Sequence, residues 1–202
     1  MSHKSYKKVV LFASGAGSNV QKICEHFKKH PKIRVEHLYC NSPKALVLEK
    51  VKTFAIEYTL FNKTDLIIKN KVLESLVKKN PDLIVLAGFL LKMPKKIIEK
   101  FPRQIINIHP ALLPKFGGKG MYGKKIHRTV IEHRELKSGI SIHYVNENYD
   151  EGANIYQKET RIEKNETPES LAKKVLKMEH ESFSKIIEKL LSHQTLMTLK
   201  EG

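Results

Sequence analysis

The chain has 202 residues, 41% of them hydrophobic, and carries a formal net charge of +16. That length suits one domain with a sizeable core and is short for two. Its longest apolar run, residues 83–91, is far too short to cross a bilayer, so no membrane span is expected. The two cysteines, Cys24 and Cys40, lie in helix-like or strand-like sequence, which predicts free thiols and a cytoplasmic location.

The positive charge comes mainly from lysines that are spread along the whole chain. Typical pairs, such as Lys95-Lys96 and Lys173-Lys174, lie on the polar faces of helix-like segments, and no dense basic tract or aromatic-rich strand accompanies them. We interpret this as a lysine-biased surface composition, which also suits anionic small molecules, rather than as a dedicated nucleic-acid site.

Apolar strand-like runs alternate with amphipathic segments up to residue 109. The predicted strands are 9–13, 35–40, 55–60, 83–87 and 105–109. The predicted helices are 19–30, 44–53, 65–80 and 94–101. This alternation predicts an α/β fold with a doubly wound, mostly parallel sheet and helices on both faces.

The pattern changes in the C-terminal third of the chain. A predicted helix at 124–134 is followed by strands at 139–145 and 154–161, which we expect to be antiparallel additions to the sheet. A last helix is predicted from Thr167, whose spacing to Ser170 resembles a capping box, to about residue 193. We interpret residues 1–202 as a single domain.

Residues 14–19, SGAGSN, join the first strand to the first helix. Backbone NH groups at a helix start bind anions, and glycines let a phosphate approach the backbone. A dinucleotide site is disfavoured, because Val20 replaces the third glycine and no acidic residue ends the second strand. A phosphate monoester site and a plain tight turn, capped by Ser18 or Asn19, both remain open.

The strand at 105–109 ends with Asn107 and His109, just before Pro110. Residues i and i+2 of a strand face the same side, so the amide and the imidazole point together at the ligand-binding end of the sheet. This pair suits acyl transfer, with the amide stabilising an oxyanion and the imidazole handling a proton. The alternative is a pair of strand-end side chains satisfied by the backbone. A metal site is disfavoured. His26 and His30 have helical spacing, but Phe27 rather than a glutamate follows His26.

Several motifs together resemble the folate-dependent formyltransferase family. They are SGAGSN at 14–19, DLIVLAGF at 82–89, NIHPALLP at 107–114, SGISIHYV at 138–145 and DEG at 150–152. The glycine loop narrows the resemblance to the branch that formylates phosphoribosylglycinamide in purine biosynthesis. The resemblance covers nearly the whole chain and implies a Rossmann-like variant fold, with a phosphate-binding half at about 1–104 and a catalytic, folate-binding half at about 105–202.

The resemblance also implies roles for individual residues. Asn107 would hold the formyl oxygen, His109 would be the general acid, and Asp150 would favour the protonated imidazole. The donor would be 10-formyltetrahydrofolate, with no metal and no acyl-enzyme. The residues expected to bind phosphoribosylglycinamide are Gly15, Gly17, Ser18, Asn19 and Glu179. Those expected to bind folate are Lys63, Leu90, Leu91, Lys92, Met93, Val145, Asn146 and Glu147.

Some features depart from the family or leave the choice open. Lys63 stands where an arginine is frequent, so it would meet a carboxylate only as a point charge. The loop 116–125, rich in glycine and lysine, is either a mobile cover or a solvated connector. His127 and His143 match family histidines, yet either could be structural. The oligomeric state is expected to be a monomer or a weak homodimer.

Three alternatives are considered. A transferase acting on methionyl-tRNA would carry a further RNA-binding domain, and a folate deformylase an N-terminal regulatory domain. A Rossmann-like nucleotide-binding protein without activity would explain the glycine loop, but it would have no need of Asn107 and His109.

Overall fold

The computed structural model describes residues 6–198, with side chains described up to residue 192. The chain divides into two compact units. The first unit comprises Met1–Phe89 and Phe183–Gly202, and the second comprises Leu90–Ser182. The sequence predicted a boundary between its two halves at about residue 104, whereas the units meet between Phe89 and Leu90. The interpretation of the chain as a single domain stays a prediction.

The described residues form seven strands and seven helices. The strands are β1 Lys7–Ala13, β2 Ile33–Cys40, β3 Glu57–Leu60, β4 Leu83–Leu86, β5 Ile105–His109, β6 Lys137–Tyr144 and β7 Asn154–Arg161. The helices are α1 Ser18–Phe27, α2 Val47–Lys52, α3 Lys63–Ile67, α4 Lys71–Lys79, α5 Lys95–Lys100, α6 Lys124–Glu132 and α7 Pro168–Thr198.

The sheet of the first unit is parallel and has the strand order β3-β2-β1-β4. From Val9 to Ala13, every residue of β1 is buried, as expected for a central parallel strand covered on both sides. The chain enters α1 directly after β1, so the glycine loop lies at the carboxyl end of that strand.

The predicted single helix at 65–80 is wrong, because the structure has two helices there. Asn62 and Asp65 form a reciprocal capping box, which begins α3 two residues earlier than predicted. Asn70 then adopts a left-handed conformation (φ 53°) and separates α3 from α4. Asparagine tolerates this conformation better than most residues, so it can interrupt a helical pattern without a glycine.

The predicted start of the last helix is confirmed. The Thr167 hydroxyl accepts a hydrogen bond from the Ser170 amide (3.1 Å), and the Thr167 amide donates to the Ser170 hydroxyl (3.0 Å). Serine thus takes the reciprocal role that glutamate usually has in this motif. Helix α7 continues to Thr198, beyond the predicted end.

The second unit contains the antiparallel strands β5-β6-β7 in that order. The register places Asn107 opposite His143, and His109 opposite Ser141. Ser141 in turn pairs with Gln157 of β7. The predicted fold class is confirmed: an α/β protein with a mostly parallel sheet and antiparallel additions in the C-terminal third. Among the described residues, no helix has the length and apolar character needed to span a membrane.

Candidate active site

The second unit brings Asn107 and His109 together with a residue of the neighbouring strand. Because His143 is the antiparallel partner of Asn107, their side chains share one face of the sheet. The Asn107 amide nitrogen lies 3.2 Å from Nε2 of His143. The other ring nitrogen of His143, Nδ1, lies 2.9 Å from the Tyr144 carbonyl and must carry the proton there. With the hydrogen on Nδ1, Nε2 is the acceptor that orients the Asn107 amide.

Asp150 reaches the same face from the loop between β6 and β7. The Tyr144 amide donates to the Ala153 carbonyl (2.9 Å) and closes this loop. Gly152 makes the closure possible, since a Cβ at this position would lie 1.7 Å from the Tyr144 carbonyl oxygen. Asp150 itself has a left-handed backbone (φ 57°), a conformation that is uncommon outside glycine but in which aspartate is enriched.

The Asp150 carboxylate is the centre of the cluster. Oδ1 accepts from the Asn107 amide (3.3 Å) and lies 3.5 Å from Nε2 of His143. Oδ2 accepts from the Gly118 backbone amide (3.0 Å) and lies 3.5 Å from Nδ1 of His109. Burial alone would raise the pKa of Asp150, but the polar contacts of the carboxylate together hold it below its ordinary value. The carboxylate is therefore ionised at neutral pH.

His109 has an acceptor at each ring nitrogen. Nε2 lies 2.8 Å from the Phe116 carbonyl, and Nδ1 faces the Asp150 carboxylate. These contacts favour a protonated ring, but burial opposes them more strongly, so the pKa of His109 is lowered. Asp150 thus acts on the imidazole in the predicted direction, and burial outweighs it. Since Nε2 must donate to the carbonyl, the neutral ring carries its proton there.

His143, Phe116 and Gly118 complete the cluster and were not chosen as site residues from the sequence. The alternation of β6 places His143 on the same face as Ser141, and its pairing with Asn107 becomes visible only when the strand register is known. Phe116 and Gly118 contribute a backbone carbonyl and a backbone amide, for which no side-chain pattern exists. Phe116 also has a left-handed backbone (φ 59°). His127 is buried, and burial followed by the charge of His109 lowers its pKa.

The glycine loop lies in the first unit and is built around close backbone packing. Gly17 is the N-cap of α1, in a left-handed conformation (φ 69°) and without a side-chain cap bond. The expectation that Ser18 or Asn19 caps the helix is therefore wrong. A Cβ on Gly17 would lie 2.3 Å from Cγ2 of Val47, so only glycine fits between the two helices. The Val47 amide donates to the Gly15 carbonyl (3.1 Å) and fixes the other end of the loop.

The predicted folate-binding segments of the second unit are linked to each other. The Lys92 ammonium lies 5.9 Å from the centre of the Tyr149 ring, and Lys95 forms an ion pair with Glu147 (3.1 Å). The remaining predicted folate-binding residues of this unit differ in exposure: Met93 is buried, Leu90 and Asn146 are exposed, and Leu91 and Val145 are intermediate.

Two predicted binding residues lie at helical positions. Lys63 is exposed at the first position of α3, in the first unit. Glu179 lies on α7, in the part that belongs to the second unit, and only 7% of it is exposed. A charged residue on a lysine-rich helix would ordinarily be solvated, and Glu179 is not.

No group of three or more metal-ligating side chains that could hold a metal ion occurs among the described residues. His26 and His30 instead both contact the Glu188 carboxylate, at 2.7 and 3.4 Å. His26 on α1 and His30, three residues after that helix, thus contact α7 within the first unit.

Comparison with known proteins identifies the family. Residues 7–187 match the formyl transferase family model. The chain belongs to the formyl transferase family. Phosphoribosylglycinamide formyltransferase of Bacillus subtilis is 32% identical over 92% of this chain and 95% of its own length. The chloroplastic phosphoribosylglycinamide formyltransferase of Arabidopsis thaliana is 38% identical over 90% of this chain. This chain spans 64% of the length of that plant relative and of its Vigna unguiculata counterpart.

Solved structures of the family have the same fold. The phosphoribosylglycinamide formyltransferase from Bacillus halodurans has a TM-score of 0.82 at 31% identity, covering 92% of this chain and 96% of that one. Glycinamide ribonucleotide transformylase 1 from Geobacillus kaustophilus has a TM-score of 0.83 at 29% identity, covering 92% and 99%. The family resemblance seen in the sequence motifs is therefore confirmed.

Proposed function

We propose that this formyltransferase moves the formyl group of 10-formyltetrahydrofolate to the amine of phosphoribosylglycinamide, a step of purine biosynthesis. The names of its relatives support phosphoribosylglycinamide as the acceptor of the formyl group. The observation that carries the chemistry is the contact of the Asp150 carboxylate with both the Asn107 amide and the His109 ring. An amide donor, an imidazole and a carboxylate on one strand end are the groups that an acyl transfer to an external amine requires.

The formyl oxygen would be held by Asn107. Its amide NH₂ now donates to His143 and to Asp150, and the second of these contacts is the longer one, at 3.3 Å. As the substrate nitrogen attacks the formyl carbon, negative charge develops on the formyl oxygen, which would take over the hydrogen now given to Asp150. His143 keeps the amide oriented during this exchange.

The proton would be carried by His109. Because burial keeps its pKa low, the ring is neutral before the reaction and takes up the proton that the attacking amine releases. The resulting imidazolium is stabilised by Asp150 at Nδ1. It then gives a proton to the folate nitrogen as the carbon–nitrogen bond of the donor breaks, which restores the neutral ring. Ser141, the serine paired with His109, uses its hydroxyl on backbone groups, which fits direct attack by the substrate amine.

Two further sets of residues would bind the two ends of phosphoribosylglycinamide. The backbone of Gly15 and Gly17 and the start of α1, with Ser18 and Asn19, would bind the substrate phosphate. Glu179 would bind the glycinamide end.

The folate would lie against two segments of the second unit, with its tail carboxylates at Lys63. The residues of those segments are Leu90, Leu91, Lys92, Met93, Val145, Asn146 and Glu147. No metal takes part in this proposal. A cytoplasmic location and a monomer or weak homodimer stay predictions, as does the assignment of the loop 116–125 as a cover or a connector.

The test is a spectroscopic assay of tetrahydrofolate release with and without phosphoribosylglycinamide. We expect release only when the amine substrate is added. Equal release without the amine would identify a hydrolase and contradict the proposal. Release that depends on methionyl-tRNA would identify the other transferase.

A nucleotide-binding protein without activity is the second candidate, because the glycine loop alone would suit it. The His109→Ala variant separates the two possibilities. An enzyme loses turnover and still binds phosphoribosylglycinamide in calorimetry, whereas a plain binding protein shows no turnover before or after the substitution.

A further inference from the structure

The segment that follows His109 is held by side chains of the two neighbouring strands. The Ser141 hydroxyl donates to the Ala111 carbonyl (2.7 Å) and accepts from the Leu113 amide (2.9 Å). Its second acceptor site takes the Gln157 amide nitrogen (2.8 Å). Since a hydroxyl has one hydrogen and two lone pairs, Ser141 is fully used. Gln157 also donates to the Leu113 carbonyl (2.9 Å), so both backbone groups of Leu113 are held.

The register explains why these side chains meet at this point. His109, Ser141 and Gln157 are consecutive partners across β5, β6 and β7, so they form a row on one face of the sheet. The imidazole and the two side chains that hold the next segment are therefore positioned by the same set of strand pairings.

The segment from residue 110 to residue 116 is a loop that starts and ends at His109. The chain leaves the sheet at His109 and returns its Phe116 carbonyl to within 2.8 Å of Nε2 of the same residue. Two residues further on, the Gly118 amide contacts Asp150. Phe116 has a left-handed backbone, which persists at a non-glycine residue only when the surrounding contacts impose it. The hydrogen bonds to residues 111 and 113 are such contacts.

We propose that Ser141 and Gln157 are positioning residues that fix residues 111–113 and so place the Phe116 carbonyl against the His109 ring. They do not touch the reacting atoms. They determine where the imidazole proton is held and how the ring is oriented. For turnover, the inference rests on the proposed function, but its effect on His109 can be measured without any substrate.

The experiment compares Ser141→Ala and Gln157→Met with Ser138→Ala. Ser138 is a matched control, because it lies on the same strand and is buried, and its hydroxyl has no hydrogen-bond partner among the residues that the structure describes. Gln157 is exposed, so methionine at this position removes the donor without disturbing the core. Steady-state kinetics of tetrahydrofolate release give kcat and KM, and NMR titration of the His109 ring gives its pKa.

We expect Ser141→Ala to lower kcat by about 10- to 10²-fold with little change in KM, because misplacement of a reacting group by about an ångström has effects of this size. The Phe116 carbonyl raises the pKa of His109, so the titration of the ring should move to lower pH in this variant. Gln157→Met should change both quantities in the same direction and less, and Ser138→Ala should change neither.

Normal kcat and an unchanged His109 titration in Gln157→Met and Ser141→Ala would overturn the proposal. Equal losses in Ser141→Ala and Ser138→Ala would also overturn it, since they would show a general effect of β6 on stability. If Ser141→Ala does not fold, Gln157→Met decides alone. If the wild-type protein lacks transferase activity but Ser141→Ala still shifts the His109 titration, the proposed function is contradicted and this inference stands.

Discussion

The glycine loop of the first unit and the Asp150 cluster of the second unit are held in shape by different means. The loop relies on the backbone: Gly17 takes a left-handed conformation that brings the chain against Val47, and α1 begins directly afterwards. The cluster relies on side chains from β5, β6 and a loop, each of which has its partner in another segment. The loop therefore depends on the backbone shape of a few residues, whereas the cluster depends on strand register and on charge.

This difference predicts two kinds of damage. Substitutions in the cluster should lower turnover through the chemistry, with the fold intact. Substitutions in the loop should alter packing and phosphate binding, with the chemistry intact once the substrate is bound.

The largest effect is expected for Asn107→Ala and His109→Ala. Each should reduce turnover by about 10²-fold or more, as for other oxyanion donors and acid–base groups. Asn165→Ala, at an exposed position of the same unit, is the control. Steady-state kinetics measure the loss, and thermal unfolding verifies the fold. A near-normal rate in either variant would remove that residue from the mechanism.

A smaller loss, with a shift in pH dependence, is expected for Asp150→Asn. Asparagine accepts the left-handed backbone of this position, so the loop should keep its shape. The carboxylate is a contact that raises the pKa of His109, so its removal lowers that pKa further, and the activity–pH profile should move to lower pH. The profile of kcat against pH checks this, and an unshifted profile would argue against coupling of the two groups.

Gly17→Ala should act on stability and phosphate binding. The new Cβ would lie 2.3 Å from Val47 in a backbone conformation that favours glycine, and we expect a loss of about 1–3 kcal/mol in the free energy of unfolding. KM for phosphoribosylglycinamide should rise more than kcat falls. For the free energy of unfolding, Gly15→Ala is the matched control, because a Cβ there would meet nothing within 4 Å. Equal denaturation midpoints for the two variants would contradict the packing argument.

The last prediction concerns the pH dependence of stability and His37, a buried histidine of β2. Its Nε2 shares a hydrogen bond with the Thr59 hydroxyl (2.8 Å). Burial, with a smaller contribution from Lys79, lowers its pKa from 6.5 to about 4. The unfolded chain therefore binds more protons between these values, and stability falls as pH falls through this window. Over this window, His37 lowers the free energy of unfolding by at most about 3 kcal/mol.

His37→Gln should lose less stability between pH 6.5 and pH 4 than the wild type does. Chemical denaturation at several pH values measures the difference. A His37→Gln protein with the wild-type slope would show that the buried ring does not contribute.

The sequence predicted the elements with strong local signals. The strand at 105–109 and the strand at 154–161 agree with the structure at both ends, because apolar alternation and turn residues delimit them. The break at Asn70 was missed because nothing in the apolar spacing of residues 65–80 distinguishes a helix from two helices separated by one left-handed residue.

The site was predictable in part. Asn107 and His109 could be chosen from their spacing in one strand, and the family resemblance added Asp150. The partners that hold these residues could not be chosen, because they depend on long-range register, as for His143, or on backbone groups, as for Phe116 and Gly118. Glu179 could be chosen from the family resemblance, but its burial could not be predicted. Its helical position gave no sign of burial, which requires knowledge of what packs around α7.

The fully engaged amide of Asn107 has a consequence for affinity. Each of its hydrogens already has an acceptor in His143 or Asp150, so an uncharged formyl oxygen that enters the cluster merely replaces one satisfied contact with another. The exchange becomes favourable only when the incoming oxygen bears more charge than a carbonyl. Under the proposed mechanism, the contacts of the resting amide would therefore favour the tetrahedral intermediate over the bound substrate.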